Sequence, residues 1–282
     1  MKAVILAEGR GTEFLPLSQV VPKHYLPLAD KPAFRYLVEE IKASETEEIV
    51  FVNPAGYGKM QDYFFVSEQK KKMIEDEELL KEIEELEQIK EDLKISSVTQ
   101  EKPSGNGDAL LETKDLIGEE PFAVLFISDI LDSKTPALQQ LQQAFKTSEK
   151  PVLGLKEVEE EQVSNYDIAS PEKIARGLYK VKDIAENPTS AEAPSRLAVL
   201  GRSILTPEIF DYLESLKEEK ERTIAAALEE MRNDGKVVYG KQLNGEWLNC
   251  GTKLGYLKSN LYQIINNEKY GEEINQYLNE IS

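Results

Sequence analysis

Five short apolar runs set the frame for this chain: Ala3 to Ala7, Ile49 to Asn53, Ile95 to Gln100, Phe122 to Ser128 and Val152 to Leu155. Each is bounded by turn residues, and helical patterns separate them. Runs of this kind read as strands buried on both faces, the mark of a parallel sheet covered by helices. Pro32 to Ala43 carries apolar residues at helical spacing, with proline in the first turn, where a missing N–H leaves no bond unmade. Leu110 to Ile117 and Ala137 to Phe145 follow the same period. From Ala198 the rhythm changes to a strand (AVLGRSIL) and then a helix over 205–221, capped by Thr206 with Pro207 at its first position. A helix from Ile224 to Arg232, a strand from Lys236 to Leu243 and a helix from Leu254 to the C-terminus complete the pattern. The fold class is therefore α/β, a central, mostly parallel sheet flanked by helices. The 282 residues fit one large domain or two closely packed halves.

Charge and rare residues exclude several functions. Lys and Arg total 34 against 52 Asp and Glu, a net charge of -18, which opposes sequence-independent binding to nucleic acid or to anionic membranes. Any phosphate must be held by local groups. One Cys (Cys250) and one His (His24) leave no disulfide framework and no His/Cys zinc site, and point to a reducing compartment. The N-terminal MKAVILAEGRG has five apolar residues before a glutamate, too few for a signal peptide or a membrane span. A cytoplasmic location follows as the expectation. Residues 67–94 are almost wholly charged, with Leu and Ile at three- and four-residue intervals, and read as one long amphipathic helix or a helical pair. A partner-binding arm and a solvated insertion packed by one stripe are both open, and the second is favoured.

The first strand runs into Glu8-Gly9-Arg10-Gly11-Thr12-Glu13, followed by Phe14-Leu15-Pro16 and then Pro22-Lys23-His24-Tyr25-Leu26-Pro27. A glycine-rich loop lets backbone N–H groups approach phosphate oxygens, and a nearby lysine supplies a point charge. This combination resembles the G-x-G-T-R…P-K…L-P signature of sugar-1-phosphate nucleotidyltransferases, specifically the bacterial UTP–glucose-1-phosphate uridylyltransferases. The likeness extends through Asp30 to Ile41, Gln100 to Gly107, Glu119 to Asp132, Ala191 to Asp211 and Cys250 to Leu257. It implies a Rossmann-like nucleotidyltransferase fold of the nucleotide-diphospho-sugar transferase type. Residues 1–150 would form a nucleotide-binding half carrying the insertion, and 151–282 a sugar-binding half with C-terminal helices. The implied reaction joins UTP and glucose 1-phosphate to give UDP-glucose and pyrophosphate with Mg²⁺, and it asks for positioning and charge neutralisation more than covalent chemistry. A homo-oligomer, dimer or tetramer, is also implied.

Matched residue by residue, the nucleotide frame is kept. Gly9 and Gly11 stand in the loop, Lys23 at the phosphate-contacting lysine, and Gln100 with Gly105 where the family reads the uracil edge. The catalytic charges are not kept. Glu13 replaces an arginine that grips the triphosphate, and Glu8 a small residue beside the base. Such a reversal about 4 Å from a phosphate is worth about 4 kcal/mol of repulsion at an effective dielectric of about 20. The two Mg²⁺-binding aspartates are Ser128 and Asn249, which carry only neutral oxygens, whereas Mg²⁺ takes hard, anionic ones. Asp129, one residue away, should point to the opposite face of the strand. On the sugar side Glu186 is kept for the hydroxyls, but Asn187 replaces the lysine that meets the sugar phosphate, and Asp167 replaces a glycine.

Three functions stay open at this point. The favoured one is an inactive or strongly impaired family member, with no metal held tightly, that binds a uridine nucleotide or UDP-sugar and acts through binding or assembly. The second is a working uridylyltransferase, Mg²⁺-dependent, using Arg10, Lys23, Asp129 and Glu186. The third is a structural partner that binds no nucleotide. His24 is given no role, Cys250 reads as a buried structural thiol, and Trp247 and Tyr256 as core.

Overall fold

The computed structural model describes residues 1–7, 11–102, 104–216 and 222–281. Its strands are β1 (Lys2–Leu6), β2 (Pro27–Leu28), β3 (Lys31–Pro32), β4 (Glu48–Pro54), β5 (Lys94–Gln100), β6 (Phe122–Phe126), β7 (Asp129–Asp132) and β8 (Val152–Glu157). They continue as β9 (Ile168–Ala175), β10 (Leu178–Ala185), β11 (Leu197–Leu205), β12 (Tyr239–Gln242) and β13 (Glu246–Asn249). The helices are α1 (Ala33–Lys42), α2 (Glu68–Lys71), α3 (Glu77–Asp92), α4 (Asn106–Leu111), α5 (Lys114–Ile117), α6 (Ala137–Ser148), α7 (Glu208–Ser215), α8 (Ile224–Asn233), α9 (Lys253–Ile265) and α10 (Gly271–Ile281).

The central sheet has the order β5-β4-β1-β6-β11-β8-β12-β10-β9. The first four strands are parallel, as are β8 and β12, while β11 runs antiparallel to β6 and β8, and β9 and β10 form a hairpin. Ala3 to Leu6 are fully buried because helices cover both faces of β1. On one face, α1 places Phe34, Leu37, Val38 and Ile41 against Phe51 and Phe64. On the other, α7 and α8 bury Phe210, Leu213, Ala227, Leu228 and Met231. The expected sheet flanked by helices is observed.

Local chemistry explains where element ends differ from the sequence pattern. The charged insertion is a helical pair: Asp76 caps α3 by accepting from the N–H groups of Glu78 and Leu79, and α3 buries only Ile83 and Ile89. The run 110–117 breaks into α4 and α5 because the Thr113 hydroxyl and N–H both bond back to the Leu110 carbonyl. Thr206 does not cap α7; its hydroxyl is buried without a partner, and its carbonyl accepts the Ile209 N–H instead. The helix ends at Ser215, and 217–221 lie outside the described residues. The strand expected from Lys236 starts only at Tyr239, since the Lys236 N–H closes α8 on the Met231 carbonyl. The C-terminal helix divides at Asn267, whose Oδ1 accepts from the N–H groups of Lys269 and Tyr270.

Candidate functional site

At the carboxyl ends of β1, β4 and β5 lies a cavity of about 270 Å³ lined by Gly11, Ser18, Lys23, His24, Tyr57 and Gln100. Such a position outside the strand ends is where open α/β sheets bind ligands. Gly11 has φ 64°, and the Ser18 hydroxyl donates to its carbonyl at 2.6 Å, so this end of the loop is tied to the turn that follows. The Gln100 amide donates to the Gly105 carbonyl at 3.1 Å, which places the two expected base-reading residues side by side. His24 is 2 % exposed; burial first, then the neighbouring Lys23 charge, push its pKa down to about 4, so the ring is neutral at pH 7. Glu13 is exposed in the turn Thr12–Phe14 and stands outside the cavity lining. Glu8, Gly9 and Arg10 lie outside the described residues.

A second cavity, about 420 Å³, opens beside β7, β11 and β13. Ser128, Asp167, Asn187 and Asn249 all line it, whereas Glu186 is exposed and does not. The pairing of β7 with β13 sets Asn249 opposite Asp129, and the Cys250 N–H donates to the Ser128 carbonyl at 2.7 Å. Ser128 and Asn249 thus converge on Gly251: a Cβ there would sit 3.6 Å from Ser128 Cβ and 3.2 Å from Asn249 Oδ1. Asn249 is held at both ends of its amide. Its Oδ1 accepts from the Gly251 N–H at 2.8 Å, and its Nδ2 donates to the Tyr166 hydroxyl at 3.2 Å.

Asp129 does not turn away from Ser128 as strand alternation implied: it lines this cavity too, because Ser128 lies between β6 and β7 and the alternation does not run through it. Its Oδ1 accepts from Trp247 Nε1 at 2.6 Å, and its Oδ2 from the Gly201 N–H at 3.1 Å and the Ser128 hydroxyl at 3.4 Å. Burial raises its pKa, opposed by the Arg202 charge and these three donors. Gly201 has no room for a side chain, since a Cβ would lie 2.5 Å from Asp129 Oδ2. Arg202, 1 % exposed, is paired with Glu40 at 3.2 Å and donates through Nη1 to the carbonyls of Phe126 and Gly201, both at 3.0 Å. Asp167 has its pKa raised by burial and then by the Glu186 charge, with the Asn187 N–H pulling it back. Asn187 itself sits at φ 40°.

Trp247 packs against the core as expected, but it is only half-buried: it also lines the cavity and meets Tyr166 at 4.6 Å between ring centroids. The signal was its place two residues before Asn249 on one strand, which sets both side chains on one face. Tyr256 is likewise half-buried, against Phe14. Cys250 is buried, and burial pushes its thiol pKa up to about 12, as a structural thiol requires.

Ser128 and Asn249 offer no anionic oxygen of the kind Mg²⁺ takes. Both oxygens are neutral, Asn249 Oδ1 already accepts a backbone N–H, and each Asp129 oxygen has its own donor. No group of three or more His, Cys, Asp or Glu suited to a metal occurs among the described residues. Among them, too, no helix is long and apolar enough to cross a membrane.

Known proteins place the chain in context. The family model described as Nucleotidyl transferase matches residues 2–266. A UTP–glucose-1-phosphate uridylyltransferase of Staphylococcus haemolyticus is 36 % identical over 286 residues, covering 99 % of this chain and 98 % of that protein. One from Staphylococcus epidermidis is 33 % identical over 282 residues, with 99 % and 98 % covered. Among solved structures, a UDP-glucose pyrophosphorylase complexed with UDP-glucose superposes with TM-score 0.82 at 33 % identity, covering 93 % of this chain and 97 % of the other. A UTP-bound enzyme from Acinetobacter baumannii reaches TM-score 0.91 at 29 % identity, covering 100 % and 99 %.

Proposed function

The chain belongs to the nucleotidyl transferase family, among the UTP–glucose-1-phosphate uridylyltransferases, and on that premise we propose that it is a binding member whose catalysis is lost or strongly impaired. It takes a uridine nucleotide or UDP-sugar, with Gly11, Lys23, Gln100 and Gly105 at the nucleotide and the second cavity at the sugar. It acts through binding, in a regulatory or assembly role, as a homo-oligomer of two or four copies. One observation carries this reading: at the corner where Ser128 and Asn249 meet, both side chains are neutral, and the Asn249 amide is bonded within the protein at both ends. A triphosphate brought there finds no anchor for the cation that would offset its charge. Asn187, in the sugar cavity, offers no charge to a sugar phosphate.

The test mixes purified protein with UTP, glucose 1-phosphate and Mg²⁺ and follows pyrophosphate release. Turnover of about one per second or faster, ordinary for enzymes, would sink the reading. Thermal melts with UTP, UDP and UDP-glucose address binding. A ligand at about 100 times its dissociation constant adds about 2.7 kcal/mol of stability, and no shift with any of the three would leave a purely structural role.

A further inference from the structure

The second cavity carries a negative charge that the protein leaves uncompensated. Asp167 is half-buried in its lining, and the Glu186 carboxylate stands near enough to raise its pKa, while no described cation acts on it in return. Among the described residues only the Asn187 N–H steadies the Asp167 carboxylate. The other charges of the lining are already engaged. Arg202, the one basic residue among the described residues of this lining, gives Nε and Nη2 to Glu40 and Nη1 to the carbonyls of Phe126 and Gly201. Both Asp129 oxygens accept from Trp247 and Gly201. Opposite charge is therefore wanted at Asp167 and nowhere else in the cavity. The wall suits a cation as well: it includes the half-buried rings of Tyr166 and Trp247, and aromatic faces attract positive charge.

We infer that this cavity selects a UDP-sugar bearing a free amine, whose ammonium group pairs with Asp167, so that Asp167 is the residue that sets the choice of sugar. The inference rests on the reading of the chain as a nucleotide-sugar binder and names the class of sugar. A neutral hydroxyl can donate to the Asp167 carboxylate, but it leaves the repulsion from Glu186 standing. An ammonium donates the same bond in its stronger, charge-assisted form and cancels that repulsion. A sugar carrying a carboxylate would add a further negative charge to a cavity whose one described guanidinium is bound elsewhere. A metal ion does not fill the same need, since no group of three or more His, Cys, Asp or Glu suited to one occurs among the described residues. The cation is one that the ligand brings.

The experiment is isothermal titration calorimetry on the full chain at about pH 6.5, which keeps a sugar amine protonated, with UDP, UDP-glucose, UDP-glucosamine, UDP-N-acetylglucosamine and UDP-glucuronate. UDP-glucosamine should bind about tenfold tighter than UDP-glucose, the size of one charge-assisted hydrogen bond, and UDP-glucuronate about tenfold weaker. The N-acetyl sugar keeps the nitrogen without its charge and should show none of the gain. In Asp167→Asn, with folding checked by circular dichroism, UDP-glucose, UDP-glucosamine and UDP-glucuronate should fall within about threefold of one another. If that variant does not fold, salt decides: raising it should narrow the wild-type preference, as screening does for charges open to solvent. Equal affinity of the wild type for UDP-glucosamine and UDP-glucose, a preference that the folded variant keeps, or one that salt leaves untouched would overturn the inference. Binding of UDP with no order among the sugars overturns the inference alone, whereas failure of UDP and of every UDP-sugar to bind overturns the nucleotide-sugar reading and the inference with it.

Discussion

Replacing His24 with glutamine removes the chain's only histidine and with it a defined piece of the pH dependence of folding. The ring is held at a pKa of about 4 in the folded protein, by burial and by Lys23, against 6.5 for a free histidine. Above pH 6.5 the ring is neutral in both states and contributes nothing to the balance. Between 6.5 and 4 the unfolded chain takes up a proton that the folded one does not, so stability falls as pH falls. Below about 4 both states are protonated and the loss is complete. At about 1.4 kcal/mol per pH unit the full loss is about 3 kcal/mol. Carboxylates titrate in the same range, so the quantity to measure is the difference between wild type and His24→Gln in urea unfolding at a series of pH values. That difference should change by about 3 kcal/mol from pH 7 to pH 4, the wild type losing more. The single imidazole can also be titrated directly by proton NMR. A midpoint near 6.5, or a stability difference flat over this range, would refute the account of its burial.

Three further outcomes test the second cavity and its supports. Trp247→Phe removes a donor to the buried Asp129 carboxylate and should destabilise the protein by about 1.5 to 3 kcal/mol in denaturant unfolding; a change below about 0.5 would mean the bond is not made. Glu40→Gln removes the carboxylate paired with the buried Arg202 and leaves Asp129 as its remaining counter-charge; it should lower stability by up to about 3 kcal/mol, which thermal and urea melts would register. Cys250, with its thiol held near pKa 12 and buried, should resist a thiol reagent at pH 8 in the native protein and react fully once urea unfolds it.

What the sequence disclosed depended on how far apart the interacting residues lie. The strands at Lys2–Leu6 and Glu48–Pro54 were legible because burial on both faces writes an unbroken apolar run. The ribbon of β7 and β13 was not, since DILD and EWLN are short and charged, and each is a strand only because the other pairs with it. That ribbon sets Trp247, expected as core, against the core on one side and in a cavity wall on the other. Ser128, Asn187, Asn249 and Asp167 were singled out by motif position, and the chain brings them into one cavity. The exposed placement of Glu13 depends on a 3-10 turn with no periodic signal. The Thr206 cap failed for a local reason, because backbone bonds from Ile209 and Phe210 already serve the start of α7.

Glu40 stands on α1, accepts the Leu138 N–H at the start of α6, and pairs with Arg202 on β11, which in turn grips the carbonyl before the Ser128 turn. None of these contacts uses a residue expected to touch substrate. The turn that carries Ser128 is therefore braced by groups other than the side chains expected to touch substrate. Such a division lets a lineage drift in its reactive side chains while the shape of the cleft stays under separate constraint. Glu13→Arg, Ser128→Asp, Asn187→Lys and Asn249→Asp together would add charge while the Glu40–Arg202 pair stays in place, at the loss of the Asn249 Nδ2 bond to the Tyr166 hydroxyl.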